Sequence, residues 1–298
     1  MVSAACRTTA VIGVTVAALG LAACSGNSPA KAHGAAAISM LPQHILHAPK
    51  SMLSATEPQA NGAMWALAGP SSAGLFEISS ATGKIKTSFS VSDNARSVAE
   101  SSTGTLALAL GSNQSGALEL VNSQTKKVIT TVPLPAPARQ VVVGSDGTTF
   151  YVLTGWATTA SVTIVGGRSG RVEGTVPMPS DAVSIVPDVQ QATIYALERN
   201  GLVDQIGLSG GRIQAKFKVS DGDTGQSIAL SPDGSTLYVL KELGGISNIA
   251  VVDAATEAVK KVLPAPSNCV DVMVSPGGGQ LYEVVGTPRY GNIQIYAV

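Results

Sequence analysis

Charged residues are scarce in this chain. Of its 298 residues only 13% are charged, and 19 Lys and Arg balance 19 Asp and Glu, so the formal net charge is zero. A neutral chain has no bulk attraction for a polyanion, which argues against nucleic acid as a partner. No long stretch outside the N-terminus has helical periodicity, and Gly, Ser, Thr, Val and Ala dominate. This composition predicts an all-β protein.

After residue 50 the sequence contains no histidine and a single cysteine. The three histidines, His33, His44 and His47, all precede residue 50, so the remainder has no imidazole to act as a general base. Two of the three cysteines lie in the N-terminal segment, which leaves Cys269. One thiol cannot form an intramolecular disulfide, so the domain is expected to be stable through its apolar core alone.

The N-terminus has the features of a targeting segment. Arg7 precedes a short apolar stretch at residues 9–20, and residues 21–24 read LAAC. This order resembles a bacterial lipoprotein signal, which implies cleavage before Cys24 and a diacylglycerol on its thiol. An ordinary secretory signal with a chance cysteine is the alternative. We therefore expect a signal peptide at 1–23, a flexible tether at 24–37 and a domain at 38–298, anchored by lipid at the extracytoplasmic face of the cell membrane.

Six copies of one pattern follow each other at intervals of about 40 to 46 residues. In each copy a turn precedes an apolar β-rich run, and a second run follows a loop. The turn-plus-run copies read NG then MWAL (61–67), STG then LAL (102–108), SDG then TFYVL (145–153), PD then TIYAL (187–197), SPDG then LYVL (231–240) and PGG then LYEV (276–284). Four strands in each unit of this length are typical of a β-propeller.

The unit with SPDG at 231–234, LYV at 237–239 and VDAAT at 252–256 resembles the YVTN-type repeats of extracytoplasmic bacterial propellers, often called YncE-like. The other units resemble it loosely, and the resemblance implies a fold rather than a chemistry. We expect six four-stranded blades, with seven as the alternative. The last unit supplies three strands, so residues 38–46 are expected to pair with residues 293–298 and close the ring.

Polar residues recur where the inner strands of the blades begin. Aligning these strands on their turns gives one column of residues and a second column immediately after it. The first column contains Arg96, Arg139, Asp181, Gln226 and Val270; the second contains Ser97, Gln140, Ala182, Ser227 and Asp271. Two guanidinium groups, a carboxylate and an amide could hold an anionic or hydrogen-bonding ligand. Channel-lining positions of any propeller also tolerate polar groups, so the pattern is compatible with no ligand.

Loops between second and third strands should emerge on the same face as these columns. They carry Trp156, Lys241, Glu242, Arg289 and Tyr290. Exposed aromatic side chains beside charges suit a binding surface, although Trp156 could instead cover the edge of a neighbouring blade.

Metal, cofactor and catalytic motifs are weak. His44 and His47 have helical ligand spacing but fall in the expected closing strand, and the DGD sequence at 221–223 lacks the later ligands of a calcium loop. There is no nucleophile elbow and no pair of acids at matching repeat positions. We therefore expect no metal and no cofactor.

The leading hypothesis is a monomeric, membrane-anchored binding or scaffold module that holds a small polar ligand or an envelope protein at its channel mouth. A lactonase-like or lyase-like propeller enzyme is the alternative, and a subunit of an envelope complex is a third reading.

Overall fold

The structure is a computed structural model that describes residues 42–48, 51–69, 73–112, 115–156, 160–219, 222–287 and 290–298. These residues form strands β1 to β24 and no helix. Within this part of the chain, accordingly, no helix has the length and apolar character needed to cross a membrane. Cys24 and Arg289, two of the predicted site residues, lie outside the described residues.

The strands form six antiparallel four-stranded sheets, each in consecutive order except the last. Blade 1 contains β2 (Met52–Ala55), β3 (Ala63–Ala68), β4 (Gly74–Ser79) and β5 (Ile85–Ser90). Blade 2 contains β6 (Ala95–Glu100), β7 (Thr105–Gly111), β8 (Gly116–Asn122) and β9 (Val128–Leu134). Blade 3 contains β10 (Ala138–Val143), β11 (Thr149–Thr154), β12 (Ser161–Gly166) and β13 (Val172–Pro177).

Blade 4 contains β14 (Ala182–Asp188), β15 (Thr193–Glu198), β16 (Leu202–Gly207) and β17 (Ile213–Lys218). Blade 5 contains β18 (Thr224–Leu230), β19 (Thr236–Leu243), β20 (Ile246–Asp253) and β21 (Val259–Pro264). Blade 6 contains β22 (Cys269–Val274), β23 (Gln280–Gly286), β24 (Gly291–Ala297) and, as its outer strand, β1 (His44–Ala48). The prediction of a six-bladed propeller is confirmed.

The ring closes through the two ends of the described chain. β1 pairs antiparallel with β24, from His44 opposite Ile295 to Ala48 opposite Gly291. The predicted pairing of the termini is therefore confirmed, with the closing strand at 44–48; residues 38–41 of the predicted strand lie outside the described part of the chain.

The turns that follow the inner strands are built by local side-chain chemistry. Asp146 accepts hydrogen bonds at Oδ1 from the N–H groups of Thr148 (2.9 Å) and Thr149 (3.0 Å), and Gly147 takes a positive φ of 68°. A short acidic side chain next to a glycine satisfies the turn backbone without strain. These turns define the lower face of the ring, and the inner strands begin at the opposite, upper face.

The core consists of six apolar clusters, one at each junction between neighbouring blades. At the junction of blades 1 and 2, for example, Trp65 and Leu67 of β3 pack with Leu106 and Leu108 of β7. Each sheet thus buries both faces, which a single meander could not do. The blades therefore hold the inner strands, and the residues at their upper ends, in fixed positions.

Candidate functional site

Every inner strand carries a β-bulge at the same place, near its upper end. The bulged residues, one from each blade in chain order, are Leu53, Arg96, Arg139, Val183, Gln226 and Val270. A bulge leaves one residue without a partner and redirects its side chain, and bulges are common beside functional sites. Four of the five residues in the first column of the sequence alignment, Arg96, Arg139, Gln226 and Val270, therefore do occupy equivalent positions in their blades.

Asp181 is the exception, and its alignment was wrong by two residues. In blade 4 the Pro187-Asp188 pair belongs to the end of β14, whereas the equivalent pair in blade 5, Pro232-Asp233, lies in the turn. Val183 is consequently the bulged residue, and Asp181 lies in the exposed turn before β14. A shift of two residues keeps side chains on the same face of a strand, so the apolar pattern could not reveal it.

Two of the bulged arginines line one pocket on the upper face. This upper pocket has a volume of about 630 Å³ and is lined by Arg96, Gly111, Ser112, Pro137, Ala138, Arg139, Trp156 and Val183. The residues come from the upper ends of blades 2, 3 and 4. The structure thus brings together three predicted site residues, Arg96, Arg139 and Trp156, in a pocket with no acidic residue among the described residues that line it.

The side chain of Arg139 is fixed by an aromatic contact and by hydrogen bonds to backbone oxygens. Its guanidinium carbon lies 3.9 Å from the centre of the Trp156 ring, and its Nη1 donates to the carbonyl oxygen of Ala182 at 2.7 Å. Burial, with a smaller contribution from Arg199, lowers the pKa of Arg139 to about 10. The group remains a cation at neutral pH, and its stacking contact is a cation–π interaction.

The other predicted residues do not join this pocket. Gln226 is half-buried in β18, and Lys241 lies within β19 rather than in a loop, where it is 8% exposed and forms an ion pair with Asp223. Tyr290 is exposed in the turn between β23 and β24. Asp271 lies below the bulges and faces the central channel.

A ring of polar side chains lies one residue below the bulges. Its members are Ser54, Ser97, Gln140, Ser184, Ser227 and Asp271. At five blade junctions the side chain accepts a hydrogen bond from an inner-strand N–H of the next blade, as in Ile185 N–H to Gln140 Oε1 at 2.8 Å. Ser184 replaces Ala182 of the sequence alignment. These polar groups connect the inner strands and need no ligand to explain them.

The channel that this ring surrounds is acidic. Its cavity has a volume of about 120 Å³, and the described residues that line it include the acids Asp271, Glu57 and Glu100 but no Lys, Arg or His. Burial raises the pKa of Asp271 to about 6, against the hydrogen bonds from Ser227 and from the N–H of Val272. Enclosure by the channel walls raises the pKa of Glu57 to about 7, although its side chain is accessible from the lower mouth.

Glu57 and Glu100 also correct a prediction. Each lies four residues after its bulge, at equivalent positions of blades 1 and 2, so a pair of acids at matching repeat positions does exist. Glu100 is 7% exposed, and burial raises its pKa to about 7 despite the opposing effects of Ser123, Trp65 and Lys126. The alignment of the sequence hid the pair because its columns contained no residue of the first blade, to which Glu57 belongs.

Two further features were missed. Arg199, in the turn between β15 and β16, adds a third positive charge near Arg139. Its signal in the sequence was a charged residue at a position where four other blades have glycine, namely Gly69, Gly111, Gly155 and Gly286. Ser112 also lines the upper pocket, and its hydroxyl donates to the carbonyl oxygen of Ser115 at 3.0 Å. Within the described ranges, no group of three or more His, Cys, Asp or Glu side chains could hold a metal ion.

Comparisons with known proteins support the fold. No protein-family model matches the sequence, and no curated protein matches it. Among solved structures, hydrazine synthase of Kuenenia stuttgartiensis is similar with a TM-score of 0.67 and 14% identity, over 82% of this chain and 83% of that chain. The Cps50 (Swd1) β-propeller domain of Myceliophteria thermophila is similar with a TM-score of 0.64 and 10% identity, over 87% and 99% of the two chains. At these identities the likeness shows a β-propeller and nothing of its activity.

Proposed function

We propose that this β-propeller is a binding module that holds a small polar ligand, or a polar group of a protein partner, in the upper pocket. The observation that supports this most strongly is the juxtaposition of Arg96, Arg139 and Trp156 in a pocket whose described lining residues include no acid. In a chain with so few charges, two guanidinium groups at one mouth are an unusual concentration. A concave site with a few convergent polar groups and an aromatic side chain is the usual form of a ligand site.

We also propose that the propeller is a lipoprotein of the YncE-like type, anchored through Cys24 at the extracytoplasmic face of the membrane. The LAAC sequence at 21–24 supports this. β1 begins at the lower face, where Gln43 N–H donates to the carbonyl oxygen of Ile295 at 2.7 Å. His44, the first residue of β1, lies at the face opposite the upper pocket.

Binding can be tested by thermal denaturation of the purified full chain with a panel of small anions, neutral polar compounds and cations. A ligand at about 100 times its Kd adds about 2.7 kcal/mol to the free energy of unfolding, which for a chain of this size raises Tm by roughly 5 °C or more. We expect such a rise for at least one compound class in the natural chain.

The variant Arg96→Ala should lose this rise. Arg212→Ala is the matched control, because Arg212 is an exposed arginine in the turn between β16 and β17, at the lower face. A rise that survives in Arg96→Ala, Arg139→Ala and Trp156→Ala alike would show that the ligand binds elsewhere.

Anchoring can be tested separately by expressing the chain in bacteria and fractionating the cells. The natural chain should be found in the detergent-extracted membrane fraction, and Cys24→Ser should be released or remain uncleaved. Equal membrane extraction of both forms, with unchanged mass, would contradict the lipid anchor.

A further inference from the structure

The two arginines of the upper pocket are held in different ways. Arg139 is stacked on Trp156 at 3.9 Å and donates to the carbonyl oxygens of Ala182 (2.7 Å) and Gly155 (3.5 Å). Arg96 is exposed, and among the described residues its side chain has no hydrogen bond, ion pair or ring contact. The donors of Arg96 are consequently available to a ligand, whereas part of the donor capacity of Arg139 is already used.

Trp156 remains partly accessible although it contacts Arg139. Its ring packs against the guanidinium of Arg139, yet 57% of the residue remains exposed beside the pocket. The other tryptophan, Trp65, is 2% exposed and belongs to a blade junction. An indole that a cation holds at the rim of a cavity can offer a flat apolar surface to a ring.

The charge of the pocket is uncompensated. Neither Arg96 nor Arg139 forms an ion pair with a described residue, and no acid is found among the described residues of the pocket lining. Arg199 adds to the positive potential at Arg139. Cations gathered in this way repel each other, and an anion that enters relieves the repulsion while forming charge-assisted hydrogen bonds.

We propose that the upper pocket binds a ring-bearing anion, namely a carboxylate or phosphate attached to an aromatic or sugar ring. Arg96 pairs with the anionic group, the exposed surface of Trp156 stacks on the ring, and Arg139 is the positioning residue that holds Trp156. This inference rests on the proposed function, because it assigns a ligand class to the same pocket. A bare inorganic anion would leave Trp156 unused, and about 630 Å³ is far more space than it needs.

The test is isothermal titration calorimetry on the full chain with four probes: phenyl phosphate, glucose 6-phosphate, inorganic phosphate and benzylamine. Phenyl phosphate, glucose 6-phosphate or both should bind at least about tenfold more tightly than inorganic phosphate. Benzylamine, which has the ring but the opposite charge, should not bind. The better of the first two probes identifies the ring as aromatic or sugar.

Variants separate the three roles. Arg96→Ala should weaken the preferred probe by about tenfold or more, and Arg96→Lys should restore part of that affinity. Trp156→Ala should reduce the preference for the ring-bearing phosphate over inorganic phosphate to about onefold. Arg139→Ala should change the near-ultraviolet circular dichroism of the ligand-free chain, and Arg139→Lys should largely restore it, since a lysine can also lie over the ring. Arg212→Ala is the matched control.

Failure of this inference differs from failure of the proposed function. Equal affinity for inorganic phosphate and the ring-bearing phosphates, or tight binding of benzylamine that depends on Trp156, would overturn the ligand class while a ligand site remained. If no probe, and no compound of the wider panel, depends on Arg96 or Trp156, both proposals are wrong.

Discussion

At the scale of single residues, this propeller buries several carboxyl groups, although its sequence contains few charged residues. Glu283 in β23 is 2% exposed, and its Oε2 has no hydrogen-bond partner among the described residues. Burial raises the pKa of Glu283 to about 7, because the effect of burial outweighs that of the Tyr296 hydroxyl, which lowers the pKa. Removing a carboxylate from water without pairing it costs free energy, so this residue destabilises the folded state at neutral and higher pH.

The variant Glu283→Gln should therefore be more stable than the natural chain at pH 8. The folded-state pKa of Glu283 is raised from 4.5 to about 7, so protonation stabilises the fold below pH 4.5 and this stabilisation is lost as pH rises through 7. By linkage the gain from the amide is up to about 3 kcal/mol at pH 8 and shrinks toward zero near pH 4.5. Denaturant unfolding at both pH values measures it.

Glu173→Gln removes one charge from an exposed position of β13 and is the control. A gain for Glu283→Gln that is equal at pH 4.5 and pH 8 would contradict the assignment of a buried carboxylate.

At the scale of elements, the five-residue strand β1 completes one blade and also packs at the junction with the next. It supplies the fourth strand of blade 6, and Leu46 packs into the cluster between blades 6 and 1 with Ile293 and Ile295. Leu46 also lies against Gly83 in the turn between β4 and β5 of blade 1. A short strand thus seals a sheet edge and a blade junction together.

We expect Leu46→Ala to lower the free energy of unfolding by about 2–4 kcal/mol, because it leaves a cavity at this junction. The neighbouring Ile45→Ala should cost less than about 1 kcal/mol, since Ile45 is 45% exposed on the opposite face of β1. Denaturant unfolding of the two variants is a matched comparison within one strand. Equal costs would mean that β1 does not pack as described.

At the scale of the whole molecule, the six blades are nearly equivalent and the ring has no intrinsic beginning. β1 and β24 meet at the lower face, with His44 opposite Ile295, so the two ends of the ring are neighbours. The charge, in contrast, is distributed unequally along the axis. Among the residues that the structure describes, the lining of the upper pocket has arginines and no acid. The lining of the channel and lower mouth has Glu57, Glu100, Asp188 and Asp271 and no basic residue.

A circular permutant tests whether pairing or chain order closes the ring. A linker of about four residues, which spans roughly 13 Å, would join residue 298 to residue 42, and new ends would open between Gly210 and Gly211 in an exposed turn. We expect one cooperative unfolding transition with Tm within about 5 °C of an unpermuted chain of residues 42–298. A permutant with two separate transitions would show that the blades are not one cooperative unit.

The sequence alone determined the class, the blade count and the closure, because these depend on local signals. Turn residues and alternating apolar runs repeat six times, and counting strands in the last unit leaves one strand to be supplied by the N-terminal side. The turn residues and the apolar run of each repeat lie within a few residues of each other, so both can be recognised without knowing the tertiary contacts. Arg96, Arg139 and Trp156 were identified in the same way, as polar or aromatic residues at repeated positions.

Only the tertiary structure decided which of those residues meet. It replaced Asp181 with Val183, because strands shifted by two residues present the same face, and it placed Lys241 in an internal ion pair with Asp223. It also stacked Arg139 on Trp156 and left Arg96 exposed. Contacts of this kind depend on how neighbouring blades pack and on how much water reaches each side chain, and the order of residues within one repeat does not specify either.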